Sequence, residues 1–138
     1  MLKKFSYILL VILTFVCVGY VNSKPLFSKY SENFIVYVGS NSSNAEILTV
    51  DSKDYMSLKK VTGESAKISS RNFDVYDFFE KYNAEIVFTE TVDGVVSYYG
   101  YSKDIKYQTI IGGKRINLHV AKAKNLVTVG SPIIYGSF

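Results

Sequence analysis

The stretch Arg115-Ile116-Asn117-Leu118-His119-Val120-Ala121 decides the fold class of this chain. Ile116, Leu118 and Val120 point one way, and Arg115, Asn117 and His119 point the other. That is the period-two alternation of a strand with one packed and one solvated face. On this reading His119, the one histidine of the chain, is an exposed side chain on the polar face. Downstream, a polar turn over 122–125 leads to a strand at Leu126-Val127-Thr128-Val129. Gly130-Ser131-Pro132 breaks it, and the apolar run Ile133-Ile134-Tyr135-Gly136-Ser137-Phe138 ends the sequence. Upstream, residues 107–111 form another strand, closed by the hairpin signal Gly112-Gly113. Asp93-Gly94 is a tight-turn signal between runs at 84–92 and 95–101. Tyr99 and Tyr101 fall on one face of the second run, with Val96 and Tyr98 on the other.

Before this meander lies one helix, predicted over 72–82. Asn72 or Asp74 caps its start, and Asp74 and Asp77 suit the first turn. Phe73, Tyr76, Val75, Phe78, Phe79 and Tyr82 give it an aromatic face, and Asn83 is a left-handed stop. Further upstream, Phe34-Ile35-Val36-Tyr37-Val38 is a strand ended by the loop composition of 39–44. Residues 46–50 and 55–61 are second and third strand candidates, and Gly63 marks a turn. The element order is that of an α+β domain, one main helix packed on a curved antiparallel sheet, with four to five strands after the helix.

The N-terminus carries an export signal. Lys3 and Lys4 precede an uncharged apolar run from Phe5 to Val21, and Val21-Asn22-Ser23 places short residues where a signal peptidase reads them. Residues 1–23 are therefore a signal peptide, or an anchor if uncleaved; the run of roughly 17 residues is at the lower limit for spanning a bilayer. Residues 24–33 read as a polar tether and 34–138 as the single domain. The expected location is extracellular, or the outer face of the cytoplasmic membrane.

Of 138 residues, 48% are hydrophobic, which excludes a disordered chain; twelve tyrosines and nine phenylalanines suit half-buried sheet faces. Cys17 is the only cysteine and lies in the leader, so the mature chain has neither a disulfide nor a thiol nucleophile. The net charge is +4, but its distribution is uneven: past Asp104 the charged residues are Lys106, Lys114, Arg115, Lys122 and Lys124 alone.

The run from Lys114 to Ala121 and Val127-Thr128-Val129-Gly130-Ser131-Pro132-Ile133-Ile134 resemble the C-terminal end of the YwmB-like family of exported proteins from spore-forming Gram-positive bacteria. The resemblance covers about the last forty percent of the chain. It implies a TATA-box-binding-protein-like fold, a helix against a strongly curved antiparallel sheet, together with an envelope location. It carries no biochemical activity over, and the fold label does not imply nucleic-acid binding.

No catalytic or metal-binding spacing stands out. His119 has no partners nominated by spacing, and the acids lie in the helix's first turns or in strand alternation. Three binding features remain. Lys106, Lys114, Arg115, Lys122 and Lys124 form a candidate anion-binding surface for wall polymer or lipid headgroups. Tyr99, Tyr101 and Tyr107 form a candidate aromatic face. Ile133, Ile134, Tyr135 and Phe138 form a candidate partner edge. The expectation is a non-enzymatic exported interaction module without cofactor. It pairs with another envelope protein or with itself, or binds anionic envelope polymer or lipid, and no nucleic-acid partner is expected. A wall-directed hydrolase is the enzyme-class alternative.

Overall fold

The computed structural model describes residues 2–22, 24–40, 42 and 44–136, with the side chains of 2, 3 and 18–22 outside the description. The chain is α+β. Helix α1 (Leu2–Asn22) precedes strands β1 (Asn33–Val38) and β2 (Glu46–Asp51), the short α2 (Ser52–Tyr55), β3 (Val61–Ser69) and α3 (Val75–Lys81). Strands β4 (Glu85–Val92), β5 (Val95–Tyr101), β6 (Thr109–Ile111), β7 (Lys114–Ile116), β8 (Leu118–Lys122) and β9 (Leu126–Ser131) follow. Seven strands build one antiparallel sheet in the order β2-β1-β3-β9-β8-β5-β4, and β6 pairs with β7 apart from it. The strands after α3 are thus six rather than four or five. The uninterrupted meander also gives way to a main sheet in which β5 pairs directly with β8.

Helix α1 presents its described side chains to solvent, from Phe5 to Val16. Among the described residues, no helix is long and apolar enough to cross a membrane.

The core forms because alternate residues of the central strands are apolar. Phe34, Val36, Ala66, Leu118, Val120, Val127 and Val129 bury against Val75, Phe78 and Phe79 of α3. Asp74 caps α3, its carboxylate accepting from the Asp77 amide at 2.9 Å, and Asn83 ends it at φ 49°. The helix is one turn shorter at its start than the predicted span, because Asp74 rather than Asn72 supplies the cap. Gly100 of β5 leaves room for the Phe79 ring; a side chain there would collide with it. That contact seats α3 against the β4–β5 end of the sheet.

Several expectations are corrected. Residues 24–33 are not a free tether. Phe27 is fully buried and packs on Phe78 and Tyr82, and Tyr30 packs on Phe78. No strand runs over 55–61: α2 ends at Tyr55, its start capped by the Asp51 carboxylate accepting from the Lys53 and Asp54 amides at 2.8 Å each, residues 56–60 are turn and irregular, and β3 begins at Val61. Gly63 lies inside β3, the longest strand, where a Cβ would meet the Ser131 carbonyl, Pro132 and Tyr37. Strand β9 runs on through Gly130 to Ser131 and ends at a cis bond to Pro132. The turns at Asp93-Gly94 and Gly112-Gly113 join β4 to β5 and β6 to β7 as expected, with φ positive at all four residues.

His119 and Asn117 are the sharpest departures. Both are buried. Asn117 braces the loop after β5: its amide nitrogen donates to the Ser102 carbonyl at 2.6 Å, and its oxygen accepts from the Ser102 amide at 2.8 Å. His119 lies on the face opposite α3, where the chain's own C-terminal segment covers it. Alternation marked a solvated face, but β8 is an interior strand and both of its faces are occupied.

Candidate functional site

A sheet's interior strands satisfy their backbone hydrogen bonds with their neighbours, whereas an edge strand leaves a row of N–H and C=O groups facing outward. The edges here are β2 and β4. At β4 the edge borders a cleft of about 830 Å³ lined by Tyr76, Phe79 and Glu80 of α3, Ala84, Glu85 and Ile86 entering β4, and Tyr101 and Lys103. Tyr76 is 69% exposed, a large aromatic standing at the mouth. A β-bulge between Ile86 and Phe88 interrupts the β4–β5 register. Bulges and charges are the usual protection of an edge against indiscriminate pairing.

The face of β4 and β5 away from α3 carries a row of rings. Phe88 stacks on Tyr99 at 4.5 Å between centroids, and Tyr99 stacks on His119 at 4.2 Å. These are the register-opposed residues of β4, β5 and β8, so strand pairing itself builds the row. The Lys114 ammonium from the β6–β7 hairpin lies 5.5 Å from the Phe88 ring centre. Burial pushes His119 down to about 4, so the ring is neutral near pH 7. Its Nδ1 accepts from the Ile134 amide at 3.2 Å.

A second titratable group lies in the core. Glu64 of β3 is fully buried; one carboxylate oxygen accepts from the Phe27 amide at 3.2 Å and the other from the Tyr55 hydroxyl at 2.5 Å. Burial pushes its carboxyl above the ordinary range, against the opposing effect of these donors and of the Leu26 amide. The Tyr82 hydroxyl donates to the Leu26 carbonyl at 2.9 Å. The cluster therefore ties residues 26–27 to β3 and α3, which is structural work. Sequence reading passed over Glu64 because it took Gly63 for a turn and left no strand to place it on. Among the described residues no group of three or more His, Cys, Asp or Glu side chains is arranged to hold a metal ion.

The residues nominated from sequence do not converge. Lys106 is exposed beside Tyr107, Lys114 and Arg115 lie on the β6–β7 hairpin, Lys122 ends β8 opposite Val96, and Lys124 follows in the turn. The length of β8 separates the last two from the hairpin pair, so no single basic patch forms from the five. Of the tyrosines, Tyr99 is in the ring row, Tyr101 lines the cleft, and Tyr107 interacts with Tyr55. Tyr99 and Tyr101 keep one face of β5, two residues apart, while Tyr107 lies outside that strand. The expected partner edge is occupied internally. Ile134 is buried over Gly130, the Tyr135 amide donates to the Tyr37 hydroxyl at 3.0 Å, and the two tyrosine rings pack at 4.6 Å. Ile133 is half-buried, and Phe138 lies outside the described residues. The cleft residues Tyr76 and Ile86 were read only as helix stripe and strand alternation. What makes them a site is the edge position of β4, which local pattern does not encode.

Comparison with known proteins finds no matching family model, no matching curated protein and no matching solved structure.

Proposed function

We propose that this chain is an exported, non-enzymatic binding module of the cell envelope or extracellular space, and that it receives an extended segment of another envelope protein along β4. The observation that carries the reading is the adjacency of an unpaired strand edge and an apolar cleft under a helix. An added strand gains main-chain hydrogen bonds from the edge and lodges alternate side chains in the cleft. Export rests on the N-terminal signal at 1–23, and the resemblance of the C-terminal part to the YwmB-like family supports the same reading. With residues 134 and 135 turned inward, the sheet edge rather than the 133–136 segment is the surface offered to a partner.

The test is site-specific photo-crosslinking in intact cells, with the probe at Tyr76 beside the cleft or at Ile47 on the opposite edge. A discrete adduct to another polypeptide from position 76, absent from position 47, is expected. Adducts arising only when the probe sits at Arg115 or Lys124 would move the site to the basic strands and overturn the reading.

A further inference from the structure

We propose that the segment docking on β4 belongs to a different polypeptide and alternates apolar with cationic residues. The inference rests on the edge reading above and adds the chemistry of the partner. It follows from which side chains β4 presents on each face. Ile86 is opposite Gly100, and Gly100 abuts Phe79, so Ile86 faces α3 and the cleft. Glu85 is opposite Tyr101, Phe88 opposite Tyr99, and Glu90 opposite Ser97, which puts these three on the other face. The strand therefore turns Ile86 beneath the helix and carries an acidic, aromatic side away from it, with Glu85 and Tyr101 also reaching the cleft, which Glu80 and Lys103 line as well.

A second copy of the same strand fits this edge poorly. Strand β4 carries Glu85 and Glu90 and no lysine or arginine. Antiparallel self-pairing sets Glu85 directly opposite Glu90 in one register and diagonal to it in the register that overlaps the whole strand. Like charges so placed are destabilising, and opposite charges contribute roughly 0.2–1 kcal/mol per pair. The chain already brings one cation of its own to this face, the Lys114 ammonium over Phe88. With Glu80 and Lys103 of the adjoining cleft counted in, three carboxylates stand against two ammonium groups, which leaves the edge acidic. A strand whose outward residues are lysine or arginine completes it, while its inward residues reach Tyr76, Phe79 and Ile86.

The experiment measures binding of fluorescent peptides to the full chain in detergent micelles. Three eight-residue peptides alternate leucine with lysine, with glutamine or with glutamate. The lysine peptide is expected to bind about three- to tenfold more tightly than the glutamine peptide, from two cross-strand charge pairs, and the glutamate peptide more weakly than either. The lysine advantage should shrink with added salt and vanish in the double variant Glu85→Gln, Glu90→Gln, which should still bind the glutamine peptide. Equal binding of the lysine and glutamine peptides would overturn the cationic preference and leave the edge reading intact. Failure of all three to bind would overturn the edge reading itself. A concentration-dependent dimer, abolished by Thr89→Pro, would overturn the claim that the partner is a different polypeptide.

Discussion

His119 and Glu64 set two opposed pH dependences, and each can be separated by substitution. The folded-state value of His119 lies below its unfolded value of 6.5, at about 4. Protons are therefore bound preferentially by the unfolded chain in that window, and the stability held at pH 7 is lost as pH falls through it. The loss is on the order of 3 kcal/mol between pH 7 and pH 4. In urea titrations His119→Phe should flatten this acid limb. It should lower stability at pH 7 by about 1–3 kcal/mol, because the Ile134 amide loses its acceptor. An unchanged acid limb would show that His119 does not control it. Glu64 runs the other way. Its folded-state value is raised, so the folded chain binds the extra proton, and stability falls as pH rises from the ordinary carboxyl value towards the raised one. Glu64→Gln keeps an acceptor for the Phe27 amide without a buried charge. It is expected to match or exceed the wild type at pH 8 and to lose that advantage near pH 4. Glu64→Ala leaves those donors unsatisfied and should cost about 2–4 kcal/mol at either pH. Neither residue's setting was legible beforehand, since each is buried by parts of the chain remote in sequence.

At the scale of elements, legibility followed range. The hairpin turns at Asp93-Gly94 and Gly112-Gly113, the Asp74 cap and the Asn83 stop are local chemistry, and all were readable from residues a few positions apart. Asp74→Ala should lower stability by about 1 kcal/mol, read from thermal or urea unfolding, because one helical amide loses its acceptor. Longer-range placements were not readable. Residues 24–33 have tether composition, yet Phe27 and Tyr30 supply rings to the α3 cluster. The apolar terminus looked like an offered edge because apolar runs at chain ends often are. Here it folds over the face of β8 and β9 and donates two amides, one to His119 and one to Tyr37. Deleting residues 133–138 should accordingly reduce stability by about 2–4 kcal/mol, measured by urea unfolding. It should leave crosslinking from Tyr76 in place wherever the truncated chain is folded.

For the whole molecule, the α+β class and the alternation of the later strands were accessible from pattern alone. Strand order was not. Placing β3 between β1 and β9, and β4 at the rim, depends on pairings between residues as distant as Glu64 and Ser131. The candidate site inherits that opacity: Tyr76 and Ile86 line an open cleft only because β4 has no further neighbour among the described strands. The same order spreads the five cations over separate elements and turns Ile134 and Tyr135 inward. Amide hydrogen exchange on the full chain, with and without the alternating leucine–lysine peptide, tests the central claim most directly. The account predicts slowed exchange confined to residues 85–92 and the flanking end of α3. Protection that instead falls on residues 106–124, with 85–92 exchanging as before, would contradict it.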